Sequence, residues 1–459
     1  MPWVPIEKTP PPPQLRIEES WWSRAISYVA RVGWAWRLEL TIVLSMSAVA
    51  ALVARRVAPV AAALATAVVF LILALLPPLR RALLRWEHVA STRRRWARAC
   101  RHAGLETANA RVPRIVSIRR LVSGDVCRVK VPAGGNVTAL EQSTETLAAA
   151  LGLREVRVAR DRLCGTYAEV VLAKGDPLAD PTPLDWPDLL ADRLSLWDPV
   201  TVGVDENREP LTVSMVERNI LIGGEPGAGK SAAASLLLAT AALDPSVKLW
   251  LFDGKLVELA VWQRCAERVL DFHAEPAITA LEELQAEMNV RYRTLLAADR
   301  RKVERSDGLP LYLVAIDELA LYLNGEDRKQ DRRFANLLRD LVSRGRAAGI
   351  IVVGATQKPA ADVMPSAIRD LFGFRWAMRC STRDASDTIL GAGWASLDYN
   401  AATIDPACRG VGLLLAEGGV PVRCKSYYLS DDQLRAVAQR AARLRGRRAD
   451  DESPALAVA

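Results

Sequence analysis

The sequence predicts an α/β protein. A parallel-sheet domain fills the C-terminal part, preceded by a small α+β module and two apolar N-terminal segments. Three observations lead there. The glycine-rich stretch GGEPGAGKSAAAS at 223–235 sits between an apolar strand and an Ala/Leu-rich helix. The stretch LYLVAIDELALYL at 311–323 is an apolar strand closing on two acids. The stretch VAPVAAALATAVVFLILALLPPL at 57–79 is long enough to cross a hydrocarbon layer, which takes about 20 apolar residues.

Composition bounds the possibilities. A chain of 459 residues holds two or three domains, and with half its residues apolar and a quarter charged it is globular rather than disordered. Lys and Arg number 61 against 53 Asp and Glu, giving a formal net charge of +8. That balance favours an anionic partner, nucleic acid or acidic lipid, without choosing between them. Seven cysteines are dispersed with no close pair, which suggests a reducing compartment and no disulfide framework or zinc set. The three histidines, His88, His102 and His273, stand far apart and read as ordinary imidazoles.

Taken in chain order, residues 1–33 form a Pro-rich N-terminal segment. Residues 34–79 carry two apolar runs, 40–54 and 57–79, read as two transmembrane helices. The first reaches spanning length only by including Trp34 and Trp36, which suit an interfacial belt. A buried hairpin is the alternative. Arg24, Arg31 and Arg37 precede the runs, and Arg80, Arg81, Arg85 and Arg93–Arg95 follow them. Basic residues on both flanks place both termini in the cytoplasm, with Arg55 and Arg56 outside as a small conflict. The expected localisation is therefore the cell membrane, multi-pass, with the remaining domains cytoplasmic. A basic helical linker is expected over 80–112.

Residues 113–176 read as two alternating strands, a helix at 138–153 and two further strands, a ββαββ module with no catalytic constellation. PLADPTPLDWP makes 177–197 a Pro-rich linker. From 198 to 430 the pattern is strand–loop–helix. The run RNILIGG (218–224) leads into Gly224-Glu225-Pro226-Gly227-Ala228-Gly229-Lys230-Ser231 and then Ala232, matching G-x-x-x-x-G-K-S. Glycines let backbone amides turn inward around phosphates, and the helix N-terminus adds its dipole. Lys230 is expected to reach the β/γ-phosphates of ATP and the Ser231 hydroxyl to ligate Mg2+. Asp317 suits the metal and Glu318 the attacking water as general base. Gln357 ends the strand IIVVGAT and is placed to sense the γ-phosphate. This order of elements is that of a RecA-like P-loop domain with its site at the carboxyl ends of parallel strands. Nothing between the motifs suggests a small-molecule substrate beyond ATP.

Several runs then converge: FDGKLVEL at 252–259, EMNVRYRTL at 287–295, LVSRGRAAGIIVVGATQKPAADVMP at 341–365 and RDASDTILG at 383–391. Together they resemble the FtsK/SpoIIIE family of DNA translocases over about 198–428. The short hairpin of apolar runs and the modest length are most similar to the conjugative transfer proteins of actinobacterial plasmids and integrative elements. The resemblance implies a hexameric homo-oligomer that threads double-stranded DNA, with ATP between subunits. It implies that Arg291, or else Arg293, is a finger offered to a neighbour's nucleotide, and that Lys358 and Arg383 touch DNA phosphates. Chromosome segregation and polypeptide secretion are the alternative uses of such a motor.

Two departures stand out. Asp387 lies where the family commonly has a basic residue, and Gly254 in FDGK replaces the proline of the more usual DPK, which is expected to loosen that turn. Residues 431–459 read as a basic helix and a disordered tail, too short for a winged-helix recognition module, with Arg440, Arg443, Arg445, Arg447 and Arg448 either solvated or on DNA.

Overall fold

The computed structural model describes residues 77–161, 163–357, 359 and 365–447. The apolar runs at 40–54 and 57–79 fall outside these residues, except that 77–79 begin the first helix. Among the described residues no helix is long and apolar enough to cross a membrane. The described chain divides into two compact units, one within 77–119 and 125–172, the other within 120–124 and 173–447.

The first unit is built from helix α1 (Pro77–His102), strands β1 (Arg114–Arg120) and β2 (Gly124–Lys130), short helices α2 (Val137–Gln142) and α3 (Thr144–Leu151), and strands β3 (Glu155–Arg160) and β4 (Tyr167–Ala173). The sheet order is β1-β2-β4-β3. The expected single helix at 138–153 is broken in two. Ser143 ends α2, its hydroxyl donating to the Ala139 carbonyl at 2.8 Å, so the chain restarts there as α3. Gly152, at φ 64°, closes α3 in the left-handed conformation that glycine adopts without strain.

The stretch 80–112 is more than a linker. Trp96, Ala99 and Cys100 of α1 are buried with Ile115, Cys127, Leu140 and Leu147 in the unit's core. Their spacing puts them on one helical face. The Trp96 indole donates to the Pro113 carbonyl at 2.9 Å. His88 bonds the buried Asp125 carboxylate at 2.9 Å, tying α1 to β2. Wrapping α1 onto the sheet supplies the apolar cover that α2 and α3, with 6 and 8 residues, are too short to give alone.

The second unit is a ten-stranded sheet in the order β6-β5-β14-β13-β12-β7-β11-β10-β8-β9. Its elements are β5 (Val200–Asp205), β6 (Pro210–Val213), β7 (Ile220–Gly223), α4 (Lys230–Ala242), β8 (Val247–Phe252), β9 (Arg268–Leu270), α5 (Ala274–Ala297), β10 (Leu311–Ile316), α6 (Leu319–Leu323), α7 (Arg328–Arg344), β11 (Ile350–Thr356), α8 (Ser366–Arg369), β12 (Phe374–Met378), α9 (Arg383–Leu390), β13 (Val411–Ala416), β14 (Val422–Ser426) and α10 (Asp431–Leu444). From β12 to β9 every pairing is parallel, and from β12 outward through β13, β14, β5 and β6 every pairing is antiparallel. The central strands β7, β10 and β11 are buried along their whole length, which is why they read as unbroken apolar runs rather than alternating ones. All seven cysteines are unpaired, and burial pushes the Cys100 and Cys127 thiols up to about 12.

Both flanks of the sheet domain depart from the sequence expectation. The Pro-rich stretch 177–197 is bound into the sheet domain: Leu178, Trp186 and Leu196 lie in its core. Asp176 pairs with Arg423, and the Lys425 ammonium donates to the carbonyls of Asp180 and, at 2.9 Å, Thr182. At the other flank, Ser430 and Gln433 form a capping box at the start of α10. Val437, Ala438, Ala441 and Ala442 then bury one face of the helix. Arg445 is neither solvated nor free for DNA. It donates to the carbonyls of Ala241 (3.1 Å), Ala242, Asp244 (2.8 Å) and Val247 (3.1 Å), occupying the C-terminal end of α4. They lie at and just beyond the negative end of the helix dipole. Arg447 likewise donates to Arg264 (2.9 Å) and Ala266 (2.8 Å). Residue 448 onward lies outside the described residues.

Candidate nucleotide site

β7 lies between β11 and β12, and β10 follows β11, so the loop after β7 and the ends of β10 and β11 emerge side by side. The loop 224–229 turns on three glycines with positive φ: Gly224 at 157°, Gly227 at 77° and Gly229 at 107°. Gly229 is doubly required, since a Cβ there would stand 2.8 Å from the Gly410 Cα. The loop is braced from outside. The Gly224 amide donates to the Thr356 carbonyl (3.3 Å), the Glu225 amide to the Arg379 carbonyl (3.0 Å), and the Gly410 amide to the Ala228 carbonyl (3.0 Å). The Glu225 carboxylate forms an ion pair with Arg379, just beyond β12. Pro226 and Gly227 are exposed at the loop's crest, and Ala228 is buried beneath it.

Lys230 and Ser231 open α4, with Ala232 behind them. α4 has no side-chain N-cap, so its first amides are left for an anion. Lys230 is only 6% exposed. Burial pulls its ammonium below the ordinary lysine value, and the field of Glu318 opposes that shift. A cleft of about 30 Å³ is lined by Lys230, Ser231, Lys255, Glu258, Asp317 and Gln357, among others.

Asp317 leaves β10 with its Oδ1 accepting from the Gly254 amide at 2.9 Å, while its Oδ2 is buried with no hydrogen-bond partner. Burial drives its pKa up to about 6, with neighbouring Asp253 adding to the rise. Gly254 therefore does not loosen its turn. It supplies the N–H that Asp317 accepts, a donor that proline lacks. Glu318 is 6% exposed and held from β11: Oε1 accepts from the Thr356 hydroxyl at 2.8 Å, and Oε2 from the Gln357 amide at 3.0 Å. Thr356 is a positioning residue that the sequence pattern did not single out. Its signal was present only as a hydroxyl closing an apolar strand.

These residues fit Mg2+ and a triphosphate. The inward-turned glycines, the uncapped helix start and a buried lysine suit phosphate, and an orphaned carboxylate oxygen beside a serine hydroxyl suits a hydrated divalent cation. Bound there, Mg2+ would supply charge neutralisation at the phosphates. Ser231 and Asp317 would hold it, Lys230 would neutralise phosphate charge, and Glu318 would accept a proton from the attacking water. The Asp317 carboxyl has a definite pH signature. With its pKa raised on folding, its contribution opposes folding above pH 6 and fades as the pH falls towards the unfolded value. Asp317→Asn is therefore expected to raise the stability of the nucleotide-free chain at pH 8. That gain should vanish near pH 4, as read by urea unfolding at the two pH values, while Mg2+-dependent nucleotide binding is lost.

The remaining expected site residues are scattered. Arg291 on α5 is 3% exposed. Its guanidinium donates to Glu287 (2.8 Å) and the Ala348 carbonyl (2.8 Å) and lies 4.9 Å from the Tyr312 ring centroid. That burial differs from the exposure of a finger offered to a neighbour. Arg293, two residues on, is exposed. Arg383 is exposed at the start of α9 and donates to the Ser396 hydroxyl. Lys358 lies outside the described residues. Asp387 accepts from the amides of Gly393 (3.1 Å) and Ala395 (2.8 Å), so its carboxylate shapes the loop after α9. Among the described residues no cluster of three His, Cys, Asp or Glu side chains is placed to hold a metal ion.

The family model described as FtsK/SpoIIIE matches residues 195–310. The DNA translocase FtsK of Staphylococcus aureus is 30% identical over 217 residues, which cover 43% of this chain and 27% of the relative. That of Halalkalibacterium halodurans is 28% identical over 334 residues, 67% of this chain and 40% of the relative. The chain thus spans well under half the length of these curated relatives. Among solved structures, the monomer form of the pCW3 conjugation coupling protein TcpA with ATPγS shares the fold. Its TM-score is 0.53 at 19% identity, covering 77% of this chain and 99% of that one.

Proposed function

We propose that this chain, whose residues 195–310 match the FtsK/SpoIIIE family model, is an ATP-driven translocase of double-stranded DNA, anchored in the cell membrane and active as a homo-oligomeric, hexameric ring. One observation carries the hydrolytic part: Glu318, clamped by the Thr356 hydroxyl and the Gln357 amide, stands on the strand next but one to the one that delivers Lys230 and Ser231. A protein that only bound ATP would have no use for a general base fixed on two sides. The FtsK relatives are named as DNA translocases, and the net charge of +8 suits a polyanion gripped without regard to sequence. In this reading the exposed Arg383, together with Lys358, touches phosphates, and Arg293 takes the finger role in place of the buried Arg291. The two apolar runs at 40–54 and 57–79 supply the anchor, and their resemblance to plasmid transfer proteins favours conjugative transfer over chromosome segregation.

The test is the ATPase rate of the full chain with no polymer, single-stranded DNA, double-stranded DNA or unfolded protein. Salt-sensitive stimulation by double-stranded DNA alone is the expected result. Stimulation by single strands only, or by polypeptide only, would replace the proposed cargo.

A further inference from the structure

Asp253 follows β8, and its carboxylate is fully buried. One oxygen, Oδ2, accepts from the Leu259 amide at 2.9 Å and folds 253–259 back on itself. The other, Oδ1, is buried with no donor. β8 and β10 run parallel with Phe252 opposite Ile316, so Asp253 and Asp317 leave the sheet as neighbours. Between them runs the bond from the Gly254 amide to Asp317 Oδ1, and Asp253's charge is felt at Asp317. Two adjacent carboxylates therefore each hold one buried oxygen without a donor, next to the cleft that Ser231 lines. A buried acceptor of this kind is costly unless something supplies a hydrogen, and two of them side by side call for a shared donor. A water ligand of a divalent cation carries two such hydrogens, and Mg2+ keeps several of its waters when it binds.

We propose that Asp253 is a positioning residue for the nucleotide's Mg2+, its Oδ1 accepting from a metal-bound water that the Asp317 carboxylate also holds. The inference rests on the nucleotide site proposed above and adds to it a carboxylate from a different strand. It also accounts for the shape of 253–259, which brings Lys255 and Glu258, 3.6 Å apart, to the rim of the same cleft. Partners of this outer kind, which orient a metal's own ligands, typically cost 10–100-fold in metal affinity when lost.

Asp253→Asn in the full chain keeps an oxygen for the Leu259 amide and removes the second acceptor. Binding of an ADP analogue labelled with N-methylanthraniloyl is measured by fluorescence across a Mg2+ titration and in EDTA. The expected result is a Mg2+ requirement raised by about tenfold with the affinity in EDTA unchanged. An unchanged Mg2+ requirement, or equal losses with and without Mg2+, overturns the proposal, the second outcome marking a purely structural role. If the variant does not fold, the native ADP-bound chain serves: adding Mg2+ should slow hydrogen exchange across 253–259, and no slowing overturns the proposal. Failure of the native chain to bind the analogue at all would count against the nucleotide site itself, a result distinguishable from either.

Discussion

Glu318→Gln is expected to lower ATP turnover by about 10²–10⁴-fold, the range lost when a positioned general base is removed, while leaving nucleotide binding intact. The substitution is nearly isosteric. Its amide oxygen can still accept from the Thr356 hydroxyl, which now bonds Glu318 Oε1 at 2.8 Å, so the strand ends keep their register. It cannot take up a proton at neutral pH, and that is the lost function. Steady-state turnover and equilibrium nucleotide binding, measured on the same preparation, separate the two effects. Thr356→Val should show a weaker form of the same behaviour: the carboxylate remains but loses one of the two groups that aim it. A fall in binding parallel to the fall in turnover would instead mean that Glu318 holds the site together.

Arg445→Ala should cost about 3 kcal/mol of folding stability, the scale for losing hydrogen bonds from a charged, largely buried donor. Four carbonyls at and beyond the end of α4 accept from this one guanidinium. In the alanine variant all four lose the charged donor, the Ala241 and Asp244 carbonyls keeping only the amides of Asp244 (3.3 Å) and Val247 (3.1 Å), at and beyond the negative end of the helix that carries Lys230. Arg445→Lys should recover only part of the loss, because an ammonium is a point donor and cannot fork across four carbonyls. Urea unfolding of the chain and its two variants reads the effect. A variant of unchanged stability with weakened DNA binding would return Arg445 to the nucleic-acid surface.

What the sequence reveals and what it hides follow from how local each signal is. The phosphate loop, the strand before it and the helix after it are set by neighbours within a dozen residues. The glycines at 224, 227 and 229 adopt the positive φ their spacing implies. The buried parallel strands announce themselves because burial on both faces leaves no polar alternation. The arginines are different. Arg291 and Arg445 look like surface cations in the sequence because their partners, the carbonyls of Ala348 and of 241–247, lie 57 and about 200 residues away. α1 carries so many arginines that its buried stripe of Trp96, Ala99 and Cys100 is masked, and only the β-sheet it covers reveals it. The Pro-rich stretch at 177–197 has the composition of a linker, yet Leu178, Trp186 and Leu196 are buried in the core and Lys425 bonds the carbonyls of Asp180 and Thr182. Thr356 and Asp253 needed the strand order, since each matters only for what lies across from it.

In the proposed function, hydrolysis at this site moves the chain along duplex DNA. The most direct measurement is displacement by the full chain of a third-strand oligonucleotide bound at one end of a linear duplex, with ATP and Mg2+ present. Release is expected to depend on ATP, weaken with salt and be absent for Glu318→Gln. ATP turnover stimulated by duplex DNA with the third strand left in place would contradict translocation and leave a DNA-dependent ATPase without movement.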